Sequence, residues 1–383
     1  VLPFTNQSRD PDAEYLSDGI TDQIMNKLSQ IPTIRVIPRS TVFTYKGKEN
    51  QAQKVGEELK VKAVLVGRVL QRGDNLTIQT ELIDIRKQAQ LWGEQYNRKM
   101  TDILELQDDI AKQISSNLRL RLTGEEKRKL TKRYTENTEA YQLYLKGNFL
   151  IQKATPEGLA KGLELMNQAL KLDPNFALPY IGRAYYNLIA TDFYIAPGEA
   201  MPEVKKDVTR ALELDEENSE AHTLLAGYYM WYAWDWSASE KEFQRALELN
   251  PNSYMVHEFY AWLQMAHQRT DKAIQQAQES VELEPILPEP HAFHSLLLFF
   301  AQRYGESLTQ LQKAAELDPN YPFVSLLFGF HYTHRGKSIE AIKAFQKSHD
   351  LFAAPWSHAR LAYGYARAGR KAEALAILDT LRN

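Results

Sequence analysis

No cysteine occurs among the 383 residues, which excludes disulfides, thiol nucleophiles and cysteine-ligated zinc together. Compartment stays open, because exported domains without disulfides are common. Long apolar runs are missing too. The longest, SLLLFFA at 295–301, falls far short of the ~20 residues that cross a bilayer, so no direct membrane insertion is expected. No basic-then-apolar leader opens the chain. Excess charge of one sign is also lacking: a formal net charge of −3 does not advertise a polyanion, so nucleic acid is not an expected partner. What remains, 44% hydrophobic and 25% charged residues, is the composition of a globular chain long enough for two or more domains. It begins on VLPF, which reads as the second half of a strand, and without an initiator methionine. Both features give the expectation of a piece of a longer polypeptide. The segment would then be cytoplasmic, or extracytoplasmic behind an upstream transmembrane helix.

Signatures of catalysis are absent as well. There is no GxxxxGK[ST], GxGxxG, HExxH or GxSxG, so neither an enzyme nor a cofactor is expected. Two HxxH pairs, His291 with His294 and His331 with His334, each share a helix face and would suit a metal. Register argues against that. His257, His291 and His358 fall in one slot of the repeat described next, which points to packing, and no third ligand stands near.

What the chain has in quantity is one helix ending. ALKLDPN (169–175), ALELDEEN (211–218), ALELNPN (246–252), VELEP (281–285) and AAELDPN (314–320) place their aligned residues Asp173, Asp215, Asn250, Glu284 and Asp318 at spacings of 42, 35, 34 and 34. A degenerate copy, SHDLFAAP (348–355), puts Phe352 another 34 residues on. A period near 34 means stacked helix pairs, and proline stops the second helix of most units.

These residues resemble tetratricopeptide repeats. EAHTLLAGYYMWYAWDWSASEKEFQRALELNP (220–251) has small Gly227 at the helix crossing, Phe243 and Ala246 in the packing slots, and Pro251 as the stop. Equivalents recur as Ala261, Ala273 and Pro285; Ser295, Ala314 and Pro319; Gly329, Ala341 and Phe345; and Ala362, Gly369 and Ala374. The first unit uses Gly147, Met166, Ala169 and Pro174. The resemblance implies seven repeats over 140–383, with an inserted loop at TDFYIAPGEAMP (191–202). Such units bury their apolar faces only by stacking, and the stack offers an inner groove lined by the first helices. Inner positions carried over from the family are Tyr185, Leu188, Tyr228, Trp231, Tyr232, Trp262, Met265, Leu296, Phe299, Phe300, Phe323, Phe330, Trp356 and Tyr363. This is an aromatic set suited to a peptide or protein segment, although single members also suit packing between repeats. The fifth positions, Ile181, Leu224, Glu258, Ala292 and Leu326, supply no cation, so a clamp for a carboxylate tail is not expected.

Residues 1–122 have another texture. The stripe Leu16, Ile20, Ile24 and Leu28 marks a helix with Asp12 as its cap, Gly19 letting it approach a sheet, and Asp18 and Asp22 on its solvated side. IRVIP (34–38), AVLVGRVL (63–70), LTIQTELIDI (76–85) and QLWGEQYNR (90–98) read as strands. KVGEELK (54–60) and DILELQDDIAKQISSNLRLRL (102–122) read as helices, which makes a mixed α/β domain. VLPF with Asn6, YLSDGITDQI, VIPRSTVFTYKG, LVGRVL, LIDI, LWGEQYNR and LQDDIA resemble the TolB-like amino-terminal domain that precedes tetratricopeptide repeats in bacteria. In that family the pair commonly follows a serine/threonine kinase, an adenylate cyclase or a winged-helix region, none of which lies in this chain. Residues 123–139 read as a charged helical connector whose KRKLTKR run is a solvated face.

The expectation is a two-part α+β/α chain: an α/β sheet domain followed by an all-α tetratricopeptide-repeat solenoid. It would be a non-catalytic interaction or sensory region that holds a protein or peptide, or another part of the same polypeptide. The alternative is a small-ligand sensor in the α/β domain whose occupancy the solenoid relays.

Overall fold

The structure, a computed structural model, describes all residues except 9, 11–12, 30, 32–33, 49–50, 119–122, 131, 153–155, 192–194 and 382–383; the expected cap Asp12 lies outside the described residues. Two compact units are distinguished. One comprises Val1–Tyr186, Val204–His222 and Glu248–Asn252, the other Asn187–Glu203, Thr223–Leu247 and Ser253–Asn383. The unit that holds the sheet therefore runs past the change of texture at residue 122 and takes in the first helices of the repeat region.

In the first unit, apolar alternation builds a four-stranded sheet. The opening residues lie parallel to β2 (Ala63–Arg72) through the short β1 (Thr5–Asn6), with Leu2 N–H donating to Leu65 O at 2.8 Å. β3 (Asn75–Asp84) and β4 (Ala89–Lys99) continue as an antiparallel meander in the order β1-β2-β3-β4. Period-two alternation turns Leu76, Ile78 and Leu82 of β3 into the core. Buried Phe4 takes the space that Gly67 leaves free: a Cβ there would stand 2.5 Å from its ring.

α1 (Glu14–Ser29) and α4 (Ile103–Asn117) pack on this sheet and on each other. Residues 34–38 are not a strand. Val36 and Ile37 pack on the cluster of Leu2, Met25 and Val55, while Pro38, which has no N–H for a ladder, leads into α2 (Arg39–Phe43). α3 (Ala52–Glu58) follows.

Asp18 and Asp22 are buried rather than solvated, because α2 and the turn after it cover that side of α1. Lys46 Nζ donates to Asp18 at 2.7 Å and Arg39 Nε to Asp22 at 2.6 Å. Gly19 admits a helix, not the sheet: a Cβ there would lie 2.9 Å from Leu145 Cδ2 of α6 (Thr138–Gln152).

Among its described residues the connector is helical in α5 (Gly124–Leu130) and again from Thr138, where α6 begins, and its basic run is not simply solvated. Lys132 pairs with buried Asp215, and Arg133 Nε donates at 2.8 Å to buried Asp108, which also holds Lys27.

From α6 onward the chain is helical, with α7 (Pro156–Leu172), α8 (Ala177–Ala190), α9 (Pro197–Leu214), α10 (Ser219–Tyr228) and α11 (Trp236–Leu249). The second half of the expected 191–202 loop is thus the start of α9, with Pro202 accommodated near the helix beginning; 192–194 lie outside the described residues. Then come α12 (Tyr254–Ala266), α13 (Thr270–Leu283), α14 (Pro288–Phe300), α15 (Tyr304–Leu317), α16 (Pro322–His334), α17 (Ser338–Leu351), α18 (Pro355–Arg367) and α19 (Lys371–Thr380). From α12 on, odd and even partners pack as hairpins.

Each turn from first to second helix after α10 uses one left-handed residue: Trp234, Gln268, Gln302, Gly336 and Gly369, spaced 34, 34, 34 and 33 apart. Only glycine holds that conformation without steric cost. Gln302→Gly should therefore raise stability by about 0.5–1 kcal/mol, read as a higher urea midpoint at unchanged slope. No gain would mean that the turn is relaxed by other contacts.

Candidate functional site

In the second unit the first helices of successive repeats touch one another directly, α12 with α14, α14 with α16, and α16 with α18. They form one continuous face, and eleven of the twelve aromatic or methionine positions expected to line a groove fall in this unit. Tyr185 of α8 is half-buried in the first unit. None of the twelve is fully buried. Trp231, Phe300, Phe323 and Tyr363 are 39%, 51%, 39% and 42% exposed. Tyr228, Tyr232, Trp262, Met265, Phe299, Phe330 and Trp356 are half-buried, as are Leu188 and Leu296.

Ring contacts divide the set into three groups. Tyr228 and Tyr232 stand 5.6 Å apart, with Trp231 edge-on to Phe259 at 4.8 Å. Trp262 meets Phe293 at 5.5 Å and Phe300 at 6.2 Å. Phe323 stacks on Trp356 at 4.9 Å, and Trp356 on Phe352 at 5.8 Å. Phe299 and Phe330 serve packing instead. Phe299 is wedged among Phe300, Tyr304, Phe330, His331 and His334, and Phe330 lies between Phe299 and Phe345.

Sequence reasoning missed several surface aromatics. Phe259 and Phe293 both occupy the sixth position of their first helices, a coincidence visible in the repeat register. Trp234 is 71% exposed and left-handed at φ +56°, immediately after the π-helical turn Tyr229–Ala233. A large apolar side chain held outward in a slot that favours glycine marks that turn as costly for folding.

The histidines belong to the packing. His257 Nδ1 and His291 Nδ1 each lie 2.7 Å from a glutamine Oε1, of Gln276 and Gln310, the same contact one repeat apart. His334 stacks on Tyr304 at 3.9 Å. Among the described residues no group of three His, Asp or Glu is placed to hold a metal. Glu258, alone charged among the fifth positions, is buried and accepts a hydrogen bond from Ser280 Oγ at 3.1 Å. Burial, then the neighbouring Glu289 and Glu284 carboxylates, push its pKa well above the usual carboxylate range.

The first unit holds a separate cleft of about 130 Å3. Lys27, Lys132, Tyr144, Glu217, Asn218 and Glu220 line it, so it is polar and carries both signs of charge.

Residues 1–114 match the family described as HilA/YgeH-like transcriptional regulator, second domain. A Rhizobium meliloti (strain 1021) protein with the provisional name adenylate cyclase 3 is 34% identical over 218 residues, covering 57% of this chain and 36% of that one. The transcriptional regulator HilA of Salmonella paratyphi A is 28% identical over 152 residues, covering 39% and 27%. This chain spans about a third of the length of the curated relatives it matches. Among solved structures, the APC/C hetero-tetramer Cut9-Hcn1 aligns at a TM-score of 0.50 with 14% identity, over 73% of this chain and 53% of that one. The helical region is a tetratricopeptide-repeat solenoid. Its period, helix pairs and left-handed turns all carry that fold.

Proposed function

We propose that the chain is a non-catalytic interaction region of a larger bacterial signalling protein, with a TolB-like α/β part and a repeat groove that binds a peptide or protein segment. The observation that carries this reading is the row of exposed and half-buried aromatics on consecutive first helices, side chains of the kind that anchor partners at interfaces. Likeness to part of a cyclase-named and part of a regulator-named protein supports the signalling setting. The triple variant Tyr228→Ala, Trp231→Ala, Trp262→Ala should lose partner capture by at least about tenfold while keeping the parent's circular dichroism. Undiminished capture would remove the groove from consideration.

The cleft in the first unit favours a second reading, a small polar ligand sensed at the junction of α1 with the first repeat helices. Thermal shift of the full chain against a metabolite panel separates the two. A stabilising hit that Glu220→Gln abolishes would favour the sensor.

A further inference from the structure

We propose that the segment held by the aromatic face of α12 and α14 is basic: a lysine or arginine flanked by apolar side chains. The inference rests on the groove reading above and adds the chemistry of its occupant.

Glu258 and Trp262 stand one turn apart on α12, and Glu289 and Phe293 one turn apart on α14, so each carboxylate lies on the same helix face as an aromatic ring. The two rings meet at 5.5 Å, with Phe300 beside Trp262, so the apolar track and the acidic pair adjoin. Glu289 is exposed, and Glu258 is buried within reach of its charge. Among the described residues, the groups acting on the Glu258 carboxyl are the Ser280 hydroxyl, Glu289, Glu284 and the Tyr321 phenol, none of them a cation. The arginines of this region are engaged elsewhere, Arg269 with Glu240 and Arg303 with Glu306. An arriving cation would relieve the repulsion among these carboxylates and lie against aromatic faces that attract it. An acidic segment would add to that repulsion. Charge complementarity thus selects a basic occupant from among the peptides an aromatic groove admits.

The test uses the full chain and two labelled ten-residue peptides, one alternating leucine with arginine and the other leucine with glutamate, titrated by fluorescence anisotropy. The arginine peptide should bind at least tenfold tighter than its acidic counterpart, and Glu258→Gln with Glu289→Gln should erase that preference. The carboxamide at 258 still accepts the Ser280 hydrogen bond, so this variant keeps its fold. Equal affinity for both peptides, a preference that survives the double variant, or no binding of the arginine peptide overturns the inference. Trp262→Ala with Phe300→Ala keeps the two levels apart. If it weakens both peptides while no charge preference exists, the groove stands and the basic occupant falls; if it weakens neither, the groove reading itself fails.

Discussion

Phe345→Ala should destabilise the last two repeats by about 3–5 kcal/mol, the largest single effect expected in the second unit. Phe345 is fully buried between two glycines: a Cβ at Gly329 would lie 2.3 Å from its ring and one at Gly364 2.8 Å away. Both helices close on the ring because neither glycine has a side chain. Truncation therefore leaves a cavity walled by backbone, which collapses poorly. Filling from the other side also fails, since Gly329→Ala drives a methyl into the ring and overpacks the site by about 1–3 kcal/mol. Because each repeat leans only on its neighbours, the loss should appear as early melting of α16–α19, seen as a separate urea transition and as lost amide protection there. A single unshifted transition would show that Phe345 is not the keystone of these repeats.

Acid should weaken the solenoid through two histidines. His294 and His331 are buried, and each is held down to about 4 from an ordinary 6.5. Burial is the main cause in both; His291 and Arg303 add to it at His294, where Glu306 opposes, and Arg335 and His334 add to it at His331. Among the described residues, neither ring nitrogen of His294 has a hydrogen-bond partner. The Ser307 hydroxyl donates to Ser295 O at 2.8 Å, so the 2.9 Å contact between His331 and Ser307 is donated by His331 Nε2–H, which makes that ring the neutral Nε2 tautomer. The sign follows from proton counts. The unfolded chain takes up these protons first, so stability is whole above pH 6.5 and is lost as pH falls toward 4, by roughly 3 kcal/mol at most for each histidine. Glu258 works the other way: its raised pKa favours the fold in acid and costs stability as pH rises above the ordinary carboxylate range. The histidine share is therefore read by difference. His294→Leu, which removes an unpartnered buried ring, should match or exceed the parent at pH 7 and flatten the acid limb between pH 6.5 and 4. A limb as steep as the parent's would place the acid sensitivity elsewhere.

Much of this fold was legible because its determinants are local and periodic. The spacing of Asp173, Asp215, Asn250, Glu284 and Asp318 shows the helix pairs, and the alternation of β3 shows its buried face. Errors arose where a second element decides. Asp18 and Asp22 looked solvated because the stripe of α1 describes one helix, whereas α2 and α6 close over its other sides. Residues 34–38 have strand-like residues but pair with no strand among the described residues. Among the expected inner positions, repeat register identified side chains that keep some exposure, yet it could not separate Phe299, wedged between repeats, from Phe300, which touches Trp262 and still stays half exposed on the same turn. Trp234 was missed because its importance lies in a backbone angle that composition does not show.

The most direct measurement places a photoreactive phenylalanine analogue at Phe300, on the shared face of the first helices, or at Lys313, exposed on a second helix, and follows crosslinking to the captured partner. A crosslink from position 300, absent from 313 and lost with Trp262→Ala, is the result expected of an aromatic groove. Crosslinking from 313 with none from 300 would put the binding surface on the opposite face and contradict the account.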